Sequence, residues 1–263
     1  MTNRYFIDPP VSAGRVLLAG PEAHHLIHVM RAQPGSRVVL FDGSGAEFPA
    51  KVERVGRAEV ALEVLSRHEV DRELPVHVTL GVALPKGDRQ KWLVEKAVEL
   101  GVGRIVPLRT ARAVAQPGQQ ALERLRRTVI EAAKQCGRNR LMEVGEPQGW
   151  ADFIAGSDDL PCRLLAHPHP AADATGDCPN FRPTKMGLSP CEVPQLSFRR
   201  PLAAGRVLLA VGPEGGFTDE EVALAMAAGW QTIDLGPRIL RVETAALLLV
   251  ALAASPQRGP TVT

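Results

Sequence analysis

The sequence lacks the apolar segments of a membrane or secreted protein. No apolar run approaches the roughly 18 residues that a membrane-spanning helix needs, although hydrophobic residues make up 45% of the 263 positions. The first ten residues are polar and charged, so the sequence predicts neither a signal peptide nor a transit peptide. We therefore expect a globular, cytoplasmic protein whose length allows one large domain or two smaller ones.

Cysteine pairs and metal-ligand patterns are missing as well. His24 and His28 have the four-residue spacing of a helical zinc site, but the glutamate of that motif is absent. No metal cofactor is expected. The cysteines form no C-x-x-C pair and do not follow a zinc spacing, so we interpret them as reduced thiols; they are Cys136, Cys162, Cys178 and Cys191.

Positive charge is concentrated in one part of the chain. The net charge is only +2, and residues 1–70 carry as many Asp/Glu as Lys/Arg. Residues 104–141, by contrast, contain nine Lys/Arg and two Asp/Glu. A local excess of this kind favours a polyanionic partner such as RNA, because each phosphate contact releases counterions. The alternative, a solvated helix face, stays open.

The chain divides into two parts with different patterns of apolar and turn residues. The first 70 residues alternate short apolar runs with turn residues, and one helix after Pro21 interrupts them, which predicts a small β-barrel with a helix. Residues 67–75 are polar, end in proline and are interpreted as a linker. The strands predicted in this first part cover residues 15–18, 37–41, 49–55 and 59–65.

From Val76 onward, strands alternate with helices, which implies an α/β domain with a parallel sheet. Asp88 is the expected cap of the first helix. The last helix is apolar on nearly every face and needs cover from the sheet layer or from a second subunit. Strands are predicted at 76–84, 104–108, 163–166, 206–211 and 232–235, and helices at 88–100, 118–136, 218–228 and 243–254.

Residues 168–201 interrupt this alternation. The segment is rich in Pro, Ala, Asp, Ser and Thr and has little apolar periodicity. We expect it to be an extended insertion.

Two turns carry the residues suited to chemistry. Residues 211–218 join a strand to a helix, contain three glycines and end in Thr218, which forms a predicted capping box with Glu221. Residues 235–245 place two arginines and a carboxylate between apolar segments. Both turns follow strand ends, where open α/β sheets bind ligands. Neither turn has the spacing of a phosphate-binding loop or a dinucleotide fingerprint, so a nicotinamide-dependent oxidoreductase is disfavoured.

These turns, in this order, resemble those of the SPOUT methyltransferases. The whole chain resembles the RsmE family, which methylates N3 of a uridine in the decoding region of 16S ribosomal RNA. Six separated motifs carry the resemblance: Arg4-Tyr5-Phe6, His24-His25-Leu26 with Val29-Met30-Arg31, Lys86-Gly87-Asp88-Arg89, Glu95 to Val102, Val211 to Phe217, and Gly236 to Ala245.

The resemblance implies a fold, a cofactor and partners. It implies a PUA-like RNA-binding barrel over residues 1–72, followed by a SPOUT domain over 73–263 with a C-terminal trefoil knot. The partners would be the 16S RNA of the small ribosomal subunit and a second copy of the chain. The cofactor would be S-adenosylmethionine, and the resemblance places it against Leu165, Ala166, Gly212, Pro213, Glu214, Gly216, Leu235, Gly236, Ile239 and Leu240.

Arg241 is the residue that we expect to support the chemistry. The N3 of uridine becomes nucleophilic as its proton leaves and charge spreads onto the flanking carbonyl oxygens. A fixed guanidinium stabilises that charge but is a poor base. Glu99 or Glu243 would accept the proton or orient Arg241, and the sequence does not rank them.

RNA contacts are expected from cations in both parts of the chain. The candidates are Arg4, His24, Arg31, Lys86, Arg89, Arg112 and Arg138, joined by four further basic residues of the charged segment, Arg124, Arg127, Lys134 and Arg140. The alternative for each residue of the charged segment is helix solubility or pairing within the helix.

Two departures from the family pattern concern the pocket. Val242 stands where the family more often has threonine, and the insertion directly follows the first cofactor strand. Two other functions stay open. One is a SPOUT enzyme acting on another RNA, such as a transfer RNA ribose, and the other is an RNA-binding or ribosome assembly protein without activity.

Overall fold

The structure is a computed structural model that describes residues 3–8, 10–11, 14–114, 116–156, 162–168 and 205–254. The predicted insertion lies outside these ranges from residue 169 onward, as do Cys178 and Cys191. Within the described ranges, no helix has both the length and the apolar character needed to cross a bilayer.

The N-terminal part forms one mixed sheet with the strand order β1-β3-β4-β5-β2, and β6 pairs with β4. β1 runs parallel to β3, whereas the other pairs are antiparallel. The strands are β1 (Arg4–Phe6), β2 (Gly14–Ala19), β3 (Arg37–Phe41), β4 (Ala46–Val55), β5 (Glu59–Val64) and β6 (His68–Glu69).

Alternation along β4 shows why this sheet forms. Ala46, Phe48, Ala50 and Val52 point inward and are buried, whereas the residues between them are more exposed. The predicted helix is present but is divided into α1 (Gly20–His24) and a π-helical turn (His25–Val29). Its buried Leu26 packs into the core of this sheet.

The C-terminal part forms a parallel sheet with the order β10-β8-β7-β12-β11-β13, and β9 pairs with β8. The predicted α/β class is thereby confirmed. The strands are β7 (His77–Val82), β8 (Arg104–Arg109), β9 (Glu143–Val144), β10 (Gln148–Gly149), β11 (Cys162–Ala166), β12 (Arg206–Val211) and β13 (Gln231–Ile233).

Helices cover both faces of this sheet. One face packs against a large aliphatic core that includes Leu80, Leu93 and Leu249, and the other packs against Trp150, Phe217 and further aromatic residues. The helices are α2 (Asp88–Glu99), α3 (Gln119–Cys136), α4 (Trp150–Ala155), α5 (Asp219–Ala227) and α6 (Val242–Ala254).

One prediction about these helices needs correction, whereas the expected cover of α6 by the sheet layer is confirmed. Asp88 does not cap α2, because Gly87 occupies the cap position and Asp88 lies in the first turn, where its charge favours the helix dipole. The apolar helix α6 packs on α2, β7 and β12, yet Leu248 keeps 37% of its surface exposed.

The two sheets meet at a polar junction formed by residues 70–73, Glu47, Arg4 and residues 137–140. Arg138 is 4% exposed and donates hydrogen bonds to Glu73 (3.0 Å) and to the carbonyls of Val98 (2.9 Å) and Val102 (3.0 Å). Arg72 donates to Glu47 at 3.1 Å and to the Gly137 carbonyl at 2.9 Å. The predicted linker is therefore fixed against both sheets.

Candidate functional site

The candidate site lies at the carboxyl ends of three neighbouring strands. Ala166 at the end of β11 pairs with Val211 of β12 on one side and with Ile233 of β13 on the other. Neighbouring strands lie about 4.8 Å apart, so the turns that leave β12 and β13 start roughly 10 Å from each other. The structure therefore places the glycine turn (residues 212–218) and the arginine turn (residues 234–241) at the same edge of the sheet.

Local packing explains the sequence of the glycine turn. The predicted capping box is confirmed, because the Thr218 hydroxyl accepts from the Glu221 amide at 3.2 Å and Glu221 accepts from the Thr218 amide at 2.9 Å. A Cβ at Gly212 would lie 2.9 Å from the Phe217 ring, so only glycine fits beneath that ring. Gly216 has φ +69° and has open space on its Cβ side.

Arg112 and Glu221 hold the glycine turn against the loop that follows β8. Glu221 accepts a hydrogen bond from the Ala111 amide at 2.7 Å through its second oxygen. Arg112 donates to the carbonyls of Gly215 at 2.7 Å and Phe217 at 3.3 Å. The Arg112 guanidinium, predicted to contact RNA, thus serves within the protein as a support for the turn.

The arginine turn presents its side chains outward. Asp234 accepts a hydrogen bond from the Gly236 amide at 2.8 Å, and Gly236 has φ +109° with open space around it. Ile239 is fully exposed, whereas Leu240 is half-buried against the core. Arg241 is exposed and makes no side-chain hydrogen bond or ion pair with the part of the chain that the structure describes.

Arg89 connects the glycine turn with the start of α6. Its guanidinium lies 3.3 Å from Glu214 of the glycine turn and 3.7 Å from Glu243, two residues after Arg241. Glu243 is 6% exposed, and its Oε2 atom has no hydrogen-bond partner among the described residues. The glycine turn and the start of α6 therefore converge on one guanidinium.

Glu99 is not brought to this site. It lies ten residues after Arg89 on α2, which corresponds to roughly 15 Å along the helix axis. Its carboxylate pairs with Lys96 at 2.7 Å. Of the two carboxylates proposed to assist Arg241, only Glu243 lies beside the two turns.

Comparison with known proteins identifies the chain. A family model described as an RNA methyltransferase domain matches residues 72–254, and one described as an RNA methyltransferase PUA domain matches residues 18–65. The ribosomal RNA small subunit methyltransferase E of Synechocystis is 33% identical over 252 residues, covering 95% of this chain and 77% of that protein. The chain belongs to the ribosomal RNA small subunit methyltransferase E family. The predicted resemblance is thereby confirmed.

Solved structures agree with the family assignment. The Neisseria gonorrhoeae methyltransferase E bound to S-adenosylmethionine has a TM-score of 0.77 and 29% identity, covering 96% of each chain. A Legionella pneumophila protein described as a methyltransferase, in complex with the same cofactor, has a TM-score of 0.79 and 31% identity, also covering 96% of each chain.

Apart from Arg89 and Arg112, whose partners are given above, the basic residues that suggested RNA binding divide into two groups. Arg4, Lys134 and Arg138 are engaged inside the protein: Arg4 pairs with Glu47 at 2.9 Å and Lys134 with Glu22 at 2.8 Å. Arg138 is buried in the junction, which leaves its guanidinium unavailable to RNA. Exposed cations without a side-chain partner among the described residues are His24, Arg31, Lys86, Arg124, Arg127 and Arg140; of these, only His24 has a ring contact, with His28.

Arg31 is the one non-glycine residue with positive φ in the described part of the chain, at +50°. It directly follows a π-helical turn, beside the exposed Val29 and Met30. Strained residues and π-turns both occur preferentially at functional sites. The described residues contain no group of three or more potential metal ligands.

Sequence reasoning missed three features of this methyltransferase E site. The second contact of Glu221 had no sequence signal, because its partner is a backbone amide on another loop. The bridging position of Arg89 depends on three segments meeting in space. A cavity beside the glycine turn, lined in part by Ala113 and Val114, was also missed, because the loop that carries them has no periodicity.

Proposed function

We propose that this chain transfers the methyl group of S-adenosylmethionine to N3 of a uridine in the 16S ribosomal RNA of the small subunit. Membership of the methyltransferase E family supports this function. The observation that carries it is the convergence of the glycine turn and the start of α6 on Arg89, because Glu243 and Arg241, which directly precedes α6, are thereby brought to the edge of the sheet where the glycine turn begins.

The residues at this edge fit the cofactor. Gly216 and Gly236 leave open space where other residues would place a Cβ, so a ligand can approach the backbone closely. The exposed Ile239 and half-buried Leu235 and Leu240 offer aliphatic contacts of the kind that an adenine ring needs. The remaining contacts would come from the backbone at Leu165, Ala166, Gly212, Pro213 and Glu214.

S-adenosylmethionine supplies an electrophilic methyl group when it is bound. Arg241 then stabilises the negative charge that develops on the carbonyl oxygens next to N3. The Glu243 carboxylate accepts the N3 proton, and Arg89, which lies 3.7 Å from its Oε2 atom, holds that carboxylate in place.

RNA binding would use the exposed cations of both parts of the chain. His24 and Arg31 lie on the N-terminal part, Lys86 lies beside the glycine turn, and Arg124 and Arg127 lie on α3. Each phosphate that Arg31, Arg124 or Arg127 neutralises makes binding more sensitive to salt. A paired or stacked uridine must also leave its stack to reach the site.

The finer architecture belongs to the same proposal. We propose a PUA-like barrel over residues 1–72, a SPOUT domain over 73–263 with a C-terminal trefoil knot, a cytoplasmic location and a homodimer. The exposed Leu248 on α6 and the 45% exposed Trp92 on the adjacent α2 support the homodimer, because both would be covered by a second copy.

Reverse transcription of ribosomal RNA tests the proposed reaction. Methylation at N3 blocks Watson–Crick pairing, whereas ribose methylation leaves it intact. Small subunits from a strain without this gene, incubated with the purified protein and S-adenosylmethionine, should gain one strong stop in 16S RNA. No new stop would contradict the proposal, and ribose methylation detected instead would indicate a different SPOUT activity.

Calorimetry with S-adenosylmethionine separates an enzyme from a pure RNA-binding protein. We expect saturable binding at one site per chain. An absence of heat over a range of temperatures would favour the non-enzymatic alternative. Parallel assays on naked 16S RNA and on assembled subunits then establish which of the two is the substrate.

A further inference from the structure

A cavity of about 290 Å³ lies beside the glycine turn, at the carboxyl ends of β7, β8 and β12. Strand order alone puts the arginine turn beyond β12 and β11. Arg89 nevertheless lines the cavity and lies 3.7 Å from Glu243, two residues after Arg241, so the cavity reaches the start of α6. Through Pro213 and Glu214 the cavity shares a wall with the proposed cofactor cleft. Its lining consists of Ala83, Leu84, Pro85, Lys86, Arg89, Ala113, Val114, Pro213 and Glu214.

The walls of the cavity are mainly aliphatic. Pro85 and Pro213 are buried and rigid, and Val114 is 77% exposed on the opposite wall. A nucleobase extruded from its stack is usually held between apolar or aromatic side chains. The volume is at the lower end of the roughly 300–1,000 Å³ of small-molecule sites, which suits one base better than a whole cofactor.

Lys86 is the charged side chain of the described lining that has no partner. Arg89 is already held by Glu214 and Glu243, whereas Lys86 makes no side-chain hydrogen bond or ion pair with any residue that the structure describes. An ammonium group at the edge of an apolar slot complements a neutral planar ring that carries carbonyl acceptors. Uracil has two such oxygens, one on each side of N3.

The walls are also fixed before any ligand arrives. Arg112 and Glu221 tie the loop with Ala113 to the glycine turn, through hydrogen bonds of 2.7 Å to Gly215 and from Ala111. Because these walls are already ordered, binding of the base does not carry the entropy cost of ordering them.

We propose that this cavity receives the uracil of the target nucleotide and that Lys86 donates a hydrogen bond to a carbonyl oxygen next to N3. The inference rests on the proposed function and deepens it by assigning the base a place and Lys86 a base contact, instead of a phosphate contact.

Lys86→Met tests the base contact, and Lys91→Met is its matched control. Lys91 lies on α2, is 67% exposed and pairs with Glu95, so its substitution removes the same charge outside the cavity. We expect Lys86→Met to lower kcat/KM on small subunits by about 10- to 100-fold, the range for a charge-assisted hydrogen bond. The affinity for S-adenosylmethionine and the salt dependence of RNA binding should stay unchanged, and Lys91→Met should stay within about twofold of wild type.

Two results would overturn the assignment of Lys86. One is wild-type kinetics of Lys86→Met. The other is a loss accompanied by a shallower dependence on salt, which is the sign of a phosphate contact. Failure of the wild-type protein to methylate any RNA would instead refute the proposed function, so the two failures are distinguishable.

Ala113→Phe tests the cavity independently of charge, because the new ring would occupy the space intended for the base. Methylation should fall at least tenfold while S-adenosylmethionine binding and the melting temperature remain near wild type. Undiminished methylation by the folded variant would exclude the cavity as the base site.

Discussion

Arg241 and Arg238 lie in the same turn and are both exposed, but only Arg241 directly precedes α6 and the carboxylate of Glu243. The two arginines therefore form a matched pair for mutation. We expect Arg241→Ala to lower kcat by about 100- to 1,000-fold, as the loss of a charge-stabilising donor does in other enzymes. Arg238→Ala should retain nearly full activity.

Single-turnover methylation assays with saturating cofactor distinguish these variants. The affinity for S-adenosylmethionine should be nearly equal in both, because the Arg241 side chain is assigned to the RNA base. Equal losses of kcat in the two variants would argue against a specific role of Arg241.

Arg112 affects the cofactor through the shape of the glycine turn. Its guanidinium donates to two carbonyls of that turn. Because Arg112 is exposed, these hydrogen bonds stabilise the turn by only about 1 kcal/mol. Arg112→Ala should therefore weaken S-adenosylmethionine binding several-fold in calorimetry. Arg109→Ala, at an exposed position without a side-chain partner among the described residues, is the control and should bind normally.

At the residue scale, the sequence predicted residue types better than partners. The Thr218–Glu221 pair could be identified because it belongs to a local pattern, the capping box; the roles of the glycines and of Arg241 stay predictions. Arg112 was assigned to RNA because a lone arginine in a basic segment gives no indication that its partner is a backbone carbonyl about one hundred residues away.

The capping box connects the start of α5 with the glycine turn. Thr218→Ala removes the hydroxyl that accepts from the Glu221 amide, and loss of such a cap costs about 1 kcal/mol. Urea unfolding should show this loss, and Thr218→Ser should restore most of it. If both variants unfold like wild type, the capping box does not contribute to stability.

Long periodic elements were predictable from the sequence, whereas short ones were not. The helices α2 and α3 follow clear apolar periodicity, α5 follows a predicted capping box, and α6 is a continuous apolar run. Strands β6, β9 and β10 have two residues each, too few to show alternation. α4 is a six-residue helix whose existence depends on burial of Trp150 and Phe153 against Trp230. The π-helical turn after α1 has no sequence pattern of its own.

At the scale of the whole molecule, the junction makes the two sheets one unit. Burial alone would raise the pKa of Glu47, but hydrogen bonds from Arg72 and Arg4 outweigh it and hold the pKa below its ordinary value. A carboxylate with a lowered pKa stabilises the fold above its unfolded pKa and loses that contribution as the pH falls through its folded value.

Glu47→Gln tests this contribution. The variant should be less stable than wild type at pH 7, and the difference should shrink below about pH 4, where the unfolded carboxyl is protonated. Urea unfolding at several pH values measures it. Glu53→Gln, on the same strand but paired only with the 81% exposed Arg15, is the control and should show little pH dependence. A difference for Glu47→Gln that is independent of pH would contradict the electrostatic explanation.

The junction could not be predicted from the sequence. Arg4 and Asn139 are separated by 135 positions, and Arg138 and Glu73 by 65. The same charges were interpreted as an RNA-binding surface and a polar linker, because charge patterns show a surplus but not which charges face each other after folding.

Crystallisation with S-adenosylmethionine is the most direct test of the central claim that the glycine turn and the arginine turn enclose one cofactor. The claim predicts electron density for the adenosine in contact with both Gly212–Phe217 and Leu235–Leu240, with Arg241 beside the methyl group. Density that contacts only one of the two turns, or that lies elsewhere on the molecule, would contradict it.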